Sequence, residues 1–138
     1  MKQVKSSMKN PPDVLEWISK AEQDYQTAMT MVRKIKKPVP DIVGFHSQQC
    51  IEKYLRAFLV LNKMNFPKTH DLIELLEIAI AKDPLIEVYR KDLRILNPFS
   101  VQFRYPGESA TVEESVTALK TMKKVRKFFG ERFGLPSD

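Results

Sequence analysis

Phe45-His46-Ser47-Gln48-Gln49-Cys50-Ile51-Glu52-Lys53-Tyr54-Leu55-Arg56-Ala57 is the stretch on which the reading of this chain turns. Ser47, Cys50, Ile51 and Tyr54, continued by Phe58 and Leu61, recur at steps of three and four, so they lie along one face of a helix and mark it as core-facing. The same segment carries an imidazole, two amides, a lysine, a carboxylate and a guanidinium. A helix that only fills a core has no need of so many hydrogen-bonding groups, and the donors among them suit the oxygens of an anionic ligand.

Outward from this segment the spacing stays helical. Val14, Ile18, Ala21, Tyr25, Ala28, Val32 and Ile35 form the apolar face of a long first helix, which Pro38 and Pro40 end. The second helix starts after Asp41, runs to about Met64 and breaks at Asn65-Phe66-Pro67. Thr69 reads as the N-cap of a third helix carrying Leu72, Leu75, Leu76, Ala79 and Ile80, with Asp71 in its first turn. Asp83-Pro84 restarts the chain as a shorter helix through Leu85, Val88, Tyr89, Leu93 and Leu96. Residues 97–110 hold two prolines and a glycine without a sustained period, and read as a loop. Thr111-Val112-Glu113-Glu114 is a capping-box pattern that opens the last long helix, through Val116, Leu119, Met122, Val125, Phe129 and Phe133. No segment alternates as a strand does. The fold class expected is all-α, an antiparallel up-and-down bundle of three long and two shorter helices, with residues 1–12 a flexible N-terminal segment and 13–134 the domain.

Composition narrows the function classes. Apolar residues make up 43% and charged residues 29%, as in a globular domain, and one cysteine excludes an internal disulfide. Cys50 lies in the apolar stripe and reads as an inert buried thiol, in keeping with a cytoplasmic setting. No run approaches the ~18 apolar residues of a membrane span, and Met1 to Lys9 lacks the apolar centre of a secretory signal. The net charge of +6 is concentrated at Arg33-Lys34-Ile35-Lys36-Lys37 and from Lys120 to Lys127, which suits polyanionic partners and also plain solvated helix ends. Two histidines far apart and one cysteine do not form a zinc pattern, and no glycine-rich phosphate loop or nucleophile elbow is present, so neither metal nor cofactor is expected.

Three motifs carry the expected chemistry. His46, Gln49, Lys53 and Arg56 follow steps of three, four and three and share a helix face beside the buried stripe, while Glu52 and Arg56 are spaced and oriented for a surface ion pair. His70 precedes Asp71 at a helix start, where free N–H groups favour an anion. In Arg104-Tyr105-Pro106 the proline confines Tyr105 to extended backbone, presenting an arginine fork and a phenol from a stiffened loop. A pocket that gathers all three would use His46, Gln49, Lys53, His70 and Arg104 as donors to phosphate and Tyr105 to stack on a base. The plainer readings are a solvated Lys53, a His70 ring docked on its own loop, and an Arg104 that pins its loop to a carboxylate.

Taken in order, Ala21-Glu22-Gln23-Asp24-Tyr25-Gln26-Thr27-Ala28, the Phe45 to Ala57 segment, Thr69-His70-Asp71-Leu72 and Arg104-Tyr105-Pro106 resemble the HEPN family (higher eukaryotes and prokaryotes nucleotide-binding), over roughly Asp13 to Phe133. The resemblance implies an antiparallel helical bundle that forms a homodimer and works with a minimal nucleotidyltransferase, as a complex or a toxin–antitoxin pair. Many members are ribonucleases that carry an arginine followed by four to six residues and a histidine. Here 12 residues separate Arg33 from His46 and 13 separate Arg56 from His70, so that motif is not found. The function expected is therefore a non-catalytic nucleotide- or phosphate-binding module with no assigned catalytic residue. A metal-independent ribonuclease acting on RNA and a purely structural dimerisation module are the alternatives.

Overall fold

Proline, acidic first turns and capping side chains set where each helix begins. The computed structural model describes residues 10–33 and 38–136. Helix α1 spans Pro12–Val32 and α2 spans Pro40–Leu61, each opening on a proline whose missing N–H would have had no intrahelical acceptor. Helix α3 is Leu72–Ala79, and a 3-10 segment, Pro84–Tyr89, leads directly into α4, Arg90–Leu96. Two further 3-10 turns, Asn97–Phe99 and Gln102–Arg104, precede α5, Val112–Phe133. The capping box at α5 is fully formed, with Thr111 Oγ1 accepting from Glu114 N at 3.0 Å and Glu114 Oε1 accepting from Thr111 N at 2.8 Å. Gly134, at φ 70°, ends α5 in the left-handed conformation that glycine adopts without a Cβ penalty. The fold is an all-α bundle, with no strand among the described residues.

Helix α2 is the axis of the bundle. It packs along α1 on one side and α5 on the other, with α3 laid against it as well and α4 bridging α3 to α5. Cys50, Ile51, Leu55, Ala57 and Leu59 are wholly buried on it, and each large aliphatic side chain taken out of water contributes on the order of 2 kcal/mol. Tyr54 lies parallel to Phe129, with ring centroids 5.9 Å apart and planes 5° from parallel, and stacks on Phe133 as well. The apolar stripes expected on α1 and α5 face this core, with Val14, Ile18, Ala21 and Ala28 on the first and Leu119, Met122, Val125, Phe129 and Phe133 on the second.

Several boundaries differ from expectation for identifiable reasons. Asp71, not Thr69, caps α3: its carboxylate accepts from Ile73 N at 2.9 Å, while the Thr69 hydroxyl accepts from Asp71 N one step earlier. Helix α2 stops at Leu61, where Lys63 turns to φ 56° and its neighbour Met64 N closes onto Leu59 O. Leu85 and Val88, expected in a buried stripe, are 64% and 73% exposed because Pro84–Tyr89 winds as a 3-10 helix, whose period of three rotates them away from the core. Ile35 and Lys34 to Lys37 lie outside the described residues, as do residues 1–9. Asn10, the first described residue, is wholly buried and donates from Nδ2 to Phe133 O at 3.0 Å, tying the start of α1 to the end of α5.

The 97–110 segment is fastened at three points, and these decide where the Arg-Tyr-Pro motif sits. Asn97 bridges to the start of α3, accepting from Leu72 N at 2.8 Å and donating to Asp71 Oδ1 at 2.9 Å. Phe99, 3% exposed, lies so close to Gly44 on α2 that a Cβ there would fall 1.9 Å from its ring. Ala110 N donates to Asp41 Oδ1 at 2.7 Å, at the first turn of α2. The segment therefore crosses from the His70-Asp71 cap to the N-terminal end of α2.

Candidate functional site

Helix α1 supplies two carboxylates to the polar face of α2, two residues apart and engaged with different partners. Asp24, only 7% exposed, accepts from His46 Nδ1 through Oδ1 at 2.7 Å and from Lys53 Nζ through Oδ2 at 2.5 Å. One carboxylate thus joins two donors that lie two turns apart on α2. Glu22 accepts from the Tyr54 hydroxyl and is gripped by the Arg126 guanidinium, Nε to Oε2 at 2.8 Å and Nη2 to Oε1 at 2.7 Å. Arg126 also lies over the Tyr25 ring, 3.6 Å from its centroid. Burial, reinforced by the bond to Glu22, holds the Tyr54 phenol far above the ordinary tyrosine range, so it stays a donor. Burial likewise pushes the Cys50 thiol up, with the nearby Glu22 charge adding to the effect, and Cys50 is a core residue.

A second cluster centres on Glu52, 3% exposed. Its carboxylate accepts from Arg56 Nε at 3.2 Å, from the Gln48 and Gln49 amides at 3.2 Å each, and from His70 Nδ1 at 3.1 Å. Arg56 donates onward to the Thr69 carbonyl and lies over the rings of Trp17 and Phe66, at 5.7 and 5.4 Å. Gln48 Nε2 reaches the His70 carbonyl at 3.1 Å. Glu52 and Arg56 had the spacing of a surface ion pair; with 3% and 8% exposure they form a buried one, which closes the 62–71 connection onto α2. A buried carboxylate needs this many donors to offset its lost hydration.

The expected site residues are therefore divided between two carboxylates. His46 and Lys53 share Asp24, whereas His70 and Gln49 belong with Glu52, Gln49 donating both to Gln48 Oε1, at 2.8 Å, and to Glu52. Tyr105 is 61% exposed and extended, at φ −90° and ψ 145°, as the following proline requires. The Arg104 side chain lies outside the described residues. Both imidazoles are held through Nδ1, and neither Nε2 has a partner among the described residues. A ring so held presents Nε2 as a base when neutral and as a donor when protonated. Among the described residues no group of three or more histidine, cysteine or acidic side chains could hold a metal ion. No helix among them is long and apolar enough to cross a membrane.

Sequence reasoning missed Asp24, Glu22, Asn97 and Gly44. For Asp24 a signal existed: it falls between Ala21 and Ala28 on the apolar stripe of α1, where a charged residue is buried and needs a partner. Asn97 and Gly44 gave none, because each acts across a distance in sequence that no local pattern encodes.

The family model described as HEPN domain matches residues 14–132. Among curated proteins, "Putative toxin MJ1304" of Methanocaldococcus jannaschii is 25% identical over 140 residues, covering 86% of this chain and 90% of that protein. No solved structure matches the chain significantly.

Proposed function

The chain belongs to the HEPN family, and from that premise we propose that it is a nucleotide- or phosphate-binding module of a toxin–antitoxin-type pair, acting as a homodimer in the cytoplasm beside a minimal nucleotidyltransferase. The observation that carries this reading is the presentation of two imidazoles, each anchored by a carboxylate through Nδ1, on the half of the bundle that also carries the Arg-Tyr-Pro loop. The Nε2–H of an imidazolium held in this way donates to a phosphate oxygen. Lys53 exchanges part of its bond with Asp24 for a ligand oxygen, Gln49 and Arg104 add donors, and Tyr105 offers an exposed ring for a base. The relative named as a toxin supports the pairing with an antitoxin.

Calorimetric titration with nucleoside triphosphates tests this. Wild-type protein is expected to bind, and Lys53→Ala and Arg104→Ala to weaken binding by about tenfold each, the loss of one charge-assisted hydrogen bond. Absence of binding at millimolar nucleotide, with and without the nucleotidyltransferase, refutes the proposal.

The Asp24–His46 pair favours a second reading. A carboxylate on Nδ1 orients an imidazole as a general base through Nε2, so a metal-independent ribonuclease would use His46 in that role. Cleavage of RNA in chelator that disappears in His46→Ala supports it; equal cleavage by both proteins rules it out.

A further inference from the structure

Beside Phe99, the 97–110 segment and the start of α5 border an open cleft of about 400 Å³ that neither carboxylate cluster uses. Ile95, Pro98, Phe99 and Phe103 give it apolar walls, the two phenylalanine rings 4.9 Å apart, and Glu113 and Glu114 line it from α5. Phe99 is rigidly seated by its contact with Gly44, so the cleft does not depend on the loop alone. Its charge runs against that of the protein. On a chain of net charge +6, three carboxylates gather here: Glu113 and Glu114 in the first turn of α5, and Glu108, which accepts from Gln102 Nε2 at 3.3 Å. Glu114 is accounted for by the α5 capping box and Glu113 by its place in the first turn of that helix, but the apolar walls beside them serve neither purpose. Val101 and Val112, close to these residues in sequence, are 46% and 52% exposed.

We infer that this cleft is a docking site for an arginine-bearing, aliphatic-flanked segment of a partner polypeptide. Charge selects that occupant: a guanidinium stacks on aromatic faces and forks onto a carboxylate, whereas a nucleotide's phosphates would meet the Glu113 and Glu114 carboxylates. The volume lies at the small end of ligand sites and suits one long side chain with its neighbours. The cleft shares no residue with the Asp24 and Glu52 clusters.

The test is an NMR titration of the isotopically labelled full chain with the peptide acetyl-Leu-Arg-Leu-amide, beside its citrulline counterpart, which keeps the shape and removes the charge. The arginine peptide is expected to shift the amides of Phe99, Phe103 and Thr117 saturably, and the citrulline peptide to bind on the order of tenfold more weakly. Glu113→Gln, an exposed change that leaves the core intact, is expected to remove that preference, and Phe103→Ala to abolish binding. Equal binding of the two peptides, no shift of cleft amides up to roughly 10 mM peptide, or cleft shifts that depend only on protein concentration and so report a second copy, each overturns the inference.

Discussion

Gly44→Ala probes the contact that locates the Arg-Tyr-Pro loop. The new Cβ would lie 1.9 Å from Phe99 Cδ1 and 2.1 Å from Cε1, and the ring must retreat by roughly 1.5 Å to restore ordinary contact. With Phe99 only 3% exposed there is little room, so strain or expulsion of the ring costs about 2–3 kcal/mol. Against this, alanine in a helix interior is favoured over glycine by about 1 kcal/mol. The net expectation is a loss of about 1–2 kcal/mol, a fall in Tm of roughly 4–8 °C for a chain of this size. Urea denaturation at about 15 °C, near the usual temperature of greatest stability, measures it in a cycle with Phe99→Ala. Once the ring is gone only helix propensity remains, and Gly44→Ala should then stabilise by about 0.5–1 kcal/mol. Equal effects in the two backgrounds, or stabilisation of the wild type, would refute the reasoning.

Asn97→Ala removes both bonds to the α3 cap and should destabilise by about 1–2 kcal/mol at neutral pH, measured by urea denaturation. The Asn97 amide holds the Asp71 carboxyl below its ordinary 3.8, with the Ile73 and Glu74 N–H groups assisting. That stabilisation is complete above pH 3.8 and is lost as pH falls through the lower native value, so the gap between mutant and wild type should narrow in acid. Lys63→Gly relieves a non-glycine residue at φ 56° and should raise stability by up to about 1 kcal/mol, read as a higher Tm; an unchanged or lower Tm would show that the lysine is not strained there.

The helices themselves are legible from local chemistry. Apolar residues spaced by threes and fours settle which face each long helix buries, Pro38 and Pro40 mark the break between α1 and α2, and the Thr111–Glu114 pair caps α5 wherever that helix goes. Leu85 and Val88 mark the limit of this reasoning, since a step of three is shared by an α-helix and a 3-10 helix and only the packing around Pro84 chooses between them. The motifs were recognisable as polar groups out of place, but their partners were not. Spacing put His46, Lys53 and Arg56 on one face of α2; the packing of α1 along it gave the first two to Asp24, and the return of the 62–71 connection gave Arg56 and His70 to Glu52. Carboxylate and cation attract at short range whatever their separation along the chain, so composition supplied the charges and tertiary structure alone paired them. The same holds for Gly44, whose missing side chain has no meaning in α2 until Phe99 comes to rest against it.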